Sequence, residues 1–254
     1  MKSNTTMLRL WNLGQDHLVA GRYVAARRAL ESAEALAWRA ADPQSLARIY
    51  LPLLEARRQI RYNAGDGLIL ITSPTDSPAA QKKSLDQFLA APAGTVLFTT
   101  PATAGAIRRV IAVVENINRR ARRTGQWFEA LLLLTKNKER RLTTAADPFF
   151  AAGLPVIDSP APLAASTDPH LQIPLPPAGL YSTGPEQVAA RESLLIAWEA
   201  LALKWQHRHA PPTKTAWQEL AWLRKTLRVD PACEPVTMRL IALAESLGRL
   251  NVAP

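Results

Sequence analysis

Apolar residues recur three and four positions apart through residues 1–65, and the same spacing returns in residues 185–254. This period predicts amphipathic helices in both segments. Between them the pattern changes to short, continuous apolar runs at 68–72, 95–99, 128–135 and 154–158. Such runs, alternating with amphipathic segments, predict buried parallel strands joined by crossover helices. We therefore expect an α/β protein with a core of about four parallel strands in residues 66–158, flanked by helical hairpins.

Two parts of this central region differ in how clearly they are patterned. The segment after the second run is the clearest helix, because its apolar residues keep a helical period and Pro101 with Thr103 suits a helix start. The third run is ambiguous, since four consecutive leucines fit a buried helix as well as a strand.

Residues 159–184 are rich in proline, which predicts an extended, irregular segment that runs over a surface.

Length and composition limit the possible classes of protein. A chain of 254 residues with 48% apolar content can bury a sizeable core, which excludes a disordered chain. Cys233 is the single cysteine, so neither an internal disulfide nor a cysteine-based zinc site is possible, and a reducing compartment fits. No apolar run approaches the roughly 20 residues that span a bilayer, and Arg9 and Asn12 interrupt any leader-like stretch. We expect a cytoplasmic protein without a membrane span.

The positive charge is concentrated in one part of the sequence. The chain carries a net charge of +10, to which residues 108–141 contribute +7 and residues 1–65 contribute +5, while the remainder is slightly acidic. Such a basic stripe can contact phosphates or an acidic partner protein, although a solvated basic face explains it equally well. Nine of its cations form the predicted basic patch: Arg108, Arg109, Arg119, Arg120, Arg122, Arg123, Lys138, Arg140 and Arg141.

Both helical ends of the chain resemble tetratricopeptide repeats. At the N-terminus the resemblance rests on residues 11–14, on Gly21, Tyr23 and the alanines that follow, and on Leu30 and Ala33. At the C-terminus, residues 225–231 and 248–253 resemble the end of one repeat and the turn of the next. The resemblance implies helical pairs that bind peptides or partner proteins. Ordinary packing in an alanine-rich helical hairpin is the alternative explanation.

A repeat of this kind cannot bury its apolar face alone and needs stacked neighbours. Neither end of the chain carries three repeats. We therefore expect the two ends to dock on each other, on the α/β core or on another chain, which leaves self-association open.

Polar residues follow each predicted strand, where ligands gather in parallel α/β sheets. Hydroxyls and backbone donors at a helix start can hold a phosphate or a carboxylate, but the same residue types cap helices wherever loops meet them. The candidate ligand-binding residues are Ser73, Thr75, Asp76, Ser77, Thr99, Thr100, Thr103, Lys136, Asp158 and Ser159.

Motifs for catalysis and for cofactors are missing from the sequence. There is neither a phosphate-binding loop of the G-x-x-x-x-G-K-[ST] type nor a G-x-G-x-x-G motif after a strand. His207 and His209 are two positions apart, so they do not form the i, i+4 pair that binds a metal on a helix. We predict no catalytic residue, metal or cofactor.

The leading hypothesis is a non-enzymatic binding or scaffold module that acts through protein–protein contacts. Two alternatives remain: a nucleotide- or phosphate-binding protein or enzyme that uses the strand ends, and a nucleic-acid-binding protein that uses the basic stripe.

Overall fold

The computed structural model describes residues 2–73, 75–101, 103–124, 126–136, 139–144, 177–182, 184, 210, 212, 215–227 and 230–250, with single residues between 189 and 203. The chain forms two compact units. Residues 1–60 and 202–254 make up the first, called the helical unit, and residues 61–201 make up the second, called the α/β unit.

The secondary structure follows the predicted succession of helices, strands and helices. In chain order the elements are α1 (Lys2–Val19), α2 (Tyr23–Arg39), α3 (Pro43–Gly65), β1 (Leu68–Ile71), α4 (Pro78–Leu89), β2 (Ala93–Pro101), α5 (Ala104–Thr124), β3 (Trp127–Lys136), β4 (Glu139–Thr144), β5 (Gly179–Tyr181), α6 (Ala216–Thr226) and α7 (Glu234–Leu250). The ambiguous third run is therefore a strand. Among the described residues, no helix combines the length and the apolar content needed to cross a membrane.

Tight turns fold the first three helices back on one another. Gly21 adopts a φ of 70° between α1 and α2, and Ala41 adopts a φ of 49° between α2 and α3. Left-handed backbone at these positions lets each helix end sharply, so consecutive helices run antiparallel. Helix α3 continues through Pro52 as one element.

Helix α7 packs antiparallel to α3. Arg58, near the end of α3, forms an ion pair with Glu234 at the start of α7, with nitrogen and oxygen 2.5 Å apart. At the other end, Gln44 donates a hydrogen bond of 3.5 Å to the carbonyl of Gly248. The two termini of the chain therefore meet in one helical unit, which is the first of the three arrangements expected from the sequence.

One apolar core is shared by both parts of the helical unit. Leu30, Ile49 and Leu53 from the N-terminal helices are buried in it together with Leu223 from α6 and Leu240 from α7. Gly14 of α1 lies so close to Leu30 that an added Cβ would come within 2.6 Å of its Cγ. Close approach of α1 and α2 thus depends on glycine at this position.

The α/β unit is built on a five-stranded mixed sheet in the order β4-β3-β2-β1-β5. Strands β1, β2 and β3 are parallel, whereas β4 pairs antiparallel with β3 and β5 pairs antiparallel with β1. The prediction of an α/β fold around a largely parallel core is confirmed. The expected strand at 154–158 lies outside the described residues, as does most of 159–184, within which Gly179–Tyr181 forms β5.

Helices α4 and α5 cover one face of this sheet. Val96 and Phe98 of β2 point to that face and pack with Phe88 of α4 and with Val114 and Ile117 of α5 in one buried cluster. Alternation along the strand sends Thr95 and Leu97 to the opposite face. The last turns of α3 reach that face, where Arg61 pairs with Glu129 of β3 at 3.0 Å.

Candidate functional site

Strands β1 and β2 are parallel neighbours, so both end at the same edge of the sheet. Beyond the last residue of β1, Thr72 continues the pairing by donating its amide to the carbonyl of Leu97. Its hydroxyl accepts a hydrogen bond of 2.9 Å from the amide of Thr99. The loops that follow these two strands therefore start side by side at the carboxyl edge of the sheet.

Polar groups in the loop after β1 are satisfied by one another. The hydroxyls of Ser73 and Thr75 lie 2.7 Å apart, and a carboxylate oxygen of Asp76 accepts from the amide of Ser73 at 3.4 Å. Ser77 is the N-cap of α4, where its side chain accepts from the amide of Ala80 at 3.2 Å. These contacts are those of a turn and a helix cap.

The end of β2 and the start of α5 follow the same pattern. Thr100 is buried within the sheet, and Thr103 accepts a hydrogen bond of 3.3 Å from the amide of Ala106 in the first turn of α5. Lys136 is the last residue of β3, next to the end of β2. Asp158 and Ser159 lie outside the described residues. The local contacts therefore match the capping explanation for Ser77 and Thr103.

The topology provides no switch point among the described parallel strands. Strands β1, β2 and β3 lie side by side in chain order, and α4 and α5 pack in the same buried cluster on one face. Ligand crevices of doubly wound sheets form where the strand order reverses and successive crossovers change face. The described part of this sheet lacks such a crevice.

The basic stripe is distributed along helix α5 and along the β3–β4 hairpin. Helix α5 starts at the carboxyl edge of the sheet, because it follows β2, and it ends at the opposite edge. Arg108 and Arg109 thus lie toward the carboxyl edge, and Arg119 to Arg123 lie at the far end of the helix. In the hairpin, Arg140 is opposite Thr135 and Arg141 is opposite Leu134, while Lys138 lies outside the described residues.

Five arginines of α5 share its solvent-facing side, and we call them the arginine face: Arg108, Arg109, Arg119, Arg120 and Arg123, all of them exposed. At about 100° per residue they fall within an arc of about 120° on the side away from the apolar residues. Ile107, Val114 and Ile117 occupy the buried side. Arg122 also lies in α5.

Local structure accounts for only part of this charge. Within the described part of the chain, no ion pair joins the arginine face to a carboxylate. Cations near the end of a helix are stabilised by the exposed carbonyls, which explains why Arg119, Arg120 and Arg123 lie near the end of α5. Arg108 and Arg109 lie near the start of α5, where that dipole is unfavourable to cations. This pair therefore has no local structural cause.

The helical unit contains a buried polar network that the sequence did not indicate. Arg224 of α6 donates two hydrogen bonds to the carboxylate of Glu34 on α2, at 2.6 and 2.9 Å. Tyr50 of α3 donates to the same carboxylate at 3.2 Å, and the indole of Trp38 donates to the Tyr50 hydroxyl at 2.8 Å. Three helices are thereby joined through one carboxylate, which lies 190 positions from its arginine.

The surroundings change the acidity of two members of this network. Burial raises the pKa of the Tyr50 phenol well above its usual value, and the nearby charge of Glu34 raises it further. The hydrogen bonds to Glu34 raise the pKa of the Arg224 guanidinium. The Arg224 guanidinium also lies over the Trp38 ring, 4.8 Å from its centre. A neutral tyrosine and a charged arginine in these positions fit a structural role, with no proton to exchange near neutral pH.

The described residues contain no cluster of three or more histidine, cysteine, aspartate or glutamate side chains able to hold a metal ion. No protein-family model matches this chain, and neither a curated protein nor a solved structure matches it. The assignment of a function therefore rests on the chain's own residues.

Proposed function

We propose that this protein is a non-enzymatic binding or scaffold module of the cytoplasm, whose helical unit makes protein–protein contacts. The observation that carries the proposal is the assembly of the helical unit from both ends of the chain. The pair α1/α2 is a helical hairpin of the kind that the resemblance to tetratricopeptide repeats implies, and α3 and α7 pack antiparallel around the same core. Proteins of that family are mostly scaffolds.

The exposed apolar side chains of the helical unit favour α1 as the contact surface. Leu8, Leu13 and Val19 of α1 are 53%, 43% and 89% exposed. Single apolar residues on a surface are common, but Leu8 and Val19 fall within about 20° of each other around α1 and offer apolar contacts on one side of the helix, while Leu13 lies on another side. Within the helical unit, Leu51 is the one exposed large apolar residue described on α3, and Met238 is the one described on α7.

A small-ligand site at the carboxyl edge of the sheet is the weaker candidate. Its hydroxyls are engaged in caps and turns, and the described strands lack a switch point. A phosphate ligand there would have to displace the hydrogen bonds of Ser73, Thr75 and Ser77, which makes this function less favoured than a binding module.

Affinity purification with matched surface variants tests the proposal. Leu8→Glu, Leu13→Glu and Val19→Glu together place three charges on α1, which would exclude an apolar partner surface. We expect proteins recovered reproducibly with the wild-type chain to be lost with this triple variant. Recovery is measured by quantitative mass spectrometry of tagged full-length protein.

The control carries two such charges elsewhere on the same unit. Leu51→Glu with Met238→Glu changes exposed apolar residues of α3 and α7 and should leave the recovered proteins unchanged. If the α1 variant and the control retain the same partners as the wild-type chain, α1 is not the contact surface and the proposal is wrong. Circular dichroism confirms that each variant is folded.

A further inference from the structure

The side of α5 that carries the arginine face offers almost no apolar area. Between its arginines lie Gly105, Ala112 and Asn116, all exposed. None of the exposed large apolar side chains of the described residues belongs to α5. Protein–protein interfaces depend on buried aromatic and apolar anchors at their centre. A surface made of guanidinium groups without such anchors is suited to a polyanion.

The arginines are spaced as two pairs along the helix. Arg108 and Arg119 are eleven residues apart, as are Arg109 and Arg120. Eleven residues make about three turns, so Arg119 lies at nearly the same angle around the helix as Arg108, and Arg120 at nearly the same angle as Arg109. At 1.5 Å per residue the two pairs are separated by about 16 Å along the axis. Glu115 is the single acid in α5, between the pairs. The positive charges therefore lie along one side of α5, in two clusters.

We propose that the arginine face of α5 binds the phosphate backbone of a nucleic-acid duplex without sequence specificity. Each guanidinium can donate two parallel hydrogen bonds to one phosphate, and the two pairs, about 16 Å apart along the helix axis, can reach separate phosphates of the duplex. A single strand is the less suitable ligand, because α5 has no aromatic residue on which bases can stack.

This activity lies in the α/β unit and is separate from the protein contacts proposed for the helical unit. The two are tested independently, since the variants of one leave the residues of the other unchanged. Together they would make the protein an adaptor between a partner protein and a nucleic acid.

Fluorescence anisotropy of the full-length protein with a labelled 24-base-pair duplex tests the proposal, with DNA and RNA of the same sequence as separate probes. If each of the four paired arginines contacts one phosphate, raising the salt concentration from 50 to 200 mM should weaken binding about 100-fold. Arg108→Gln with Arg109→Gln removes two contacts, so the same salt change should weaken binding only about tenfold. Arg119→Gln with Arg120→Gln should have the same effect.

The matched control removes two exposed arginines from the helical unit. Arg9→Gln with Arg48→Gln lowers the net charge equally and should leave the salt dependence as in the wild-type chain. The tighter of the two probes identifies DNA or RNA as the natural duplex, and binding of either with this dependence supports the proposal.

Three results would overturn it. The first is duplex binding whose salt dependence is unchanged in both α5 variants, and the second is no duplex binding at 50 mM salt. The third is poly-glutamate that binds as tightly as the duplex and equally requires the arginine face, which would assign this surface to an acidic protein.

Discussion

Tyr50 connects two other members of the polar network that joins α2, α3 and α6. Its hydroxyl donates to Glu34 and accepts from Trp38, and the phenol is 1% exposed. Removing such a hydroxyl leaves a buried donor and a buried acceptor each short of one partner. Because water cannot replace the missing partner in a packed core, the loss exceeds that of an exposed hydrogen bond.

Tyr50→Phe should therefore lower the free energy of unfolding by about 1–3 kcal/mol at pH 7. The raised pKa of Tyr50 also gives the wild-type chain a dependence on pH. The unfolded phenol titrates near 10, so the stability due to Tyr50 is complete below that pH and declines as the pH rises above it. We expect the stability difference between wild type and Tyr50→Phe to shrink above pH 10.

Urea unfolding of both proteins between pH 7 and 11 measures this difference. Tyr23→Phe is the control, because the Tyr23 hydroxyl has no hydrogen bond to a described residue. A stability difference that stays constant or grows above pH 10 would contradict the assigned direction of the pKa.

At the scale of single elements, the loops after the strands act chiefly as helix starts. Ser77 has extended backbone, with φ −62° and ψ 151°, and caps α4 ahead of a proline in the first turn. Thr215 caps α6 by accepting from the Gln218 amide, and the Gln218 side chain in turn accepts from the Thr215 amide. Such residues satisfy amide groups that have no partner inside the helix. Helix capping therefore accounts for polar residues at the strand ends without a bound ligand.

Ser77→Ala should lower the free energy of unfolding by about 1 kcal/mol, because the amide of Ala80 loses its acceptor. Thr75→Ala, two residues earlier in the exposed loop, should cost less than half as much. Thermal unfolding followed by circular dichroism compares the two. Equal effects would show that the position of Ser77 at the helix start has no special importance.

At the scale of the whole molecule, the helical unit is discontinuous in sequence, with the α/β unit inserted between α3 and the C-terminal helices. Leu240 of α7 is fully buried in the core that it shares with Leu30 and Ile49. Helices that share one core unfold together, so a cavity made in one helix lowers the stability of the others.

Leu240→Ala should consequently destabilise α1, α2 and α3 as much as α7, by about 2–5 kcal/mol. Hydrogen exchange of peptides from α2 measures the effect some 200 positions away in the chain. Met238→Ala changes a side chain of the same helix that is 47% exposed, and it should leave the α2 amides protected. Loss of protection confined to α7 would show that the two ends fold separately.

Local pattern in the sequence was enough to predict the helices and the three parallel strands, but neither β4 nor β5. The period of three and four identified the helices at both ends, the continuous runs identified β1, β2 and β3, and the concentration of arginines identified α5 as the basic element. These features depend on residues a few positions apart, whose preferences for helix or strand act before any distant contact forms.

Tertiary structure alone decided how these elements combine. The antiparallel partner of α3 is 176 positions away at Arg58 and Glu234, and the partner of Glu34 is 190 positions away at Arg224. No local pattern encodes such pairings, because they depend on which apolar faces can be buried together once the whole chain is compact. The same holds for the arginine face: the sequence determined its charge, and the packing of α5 on the sheet decided that this charge faces the solvent.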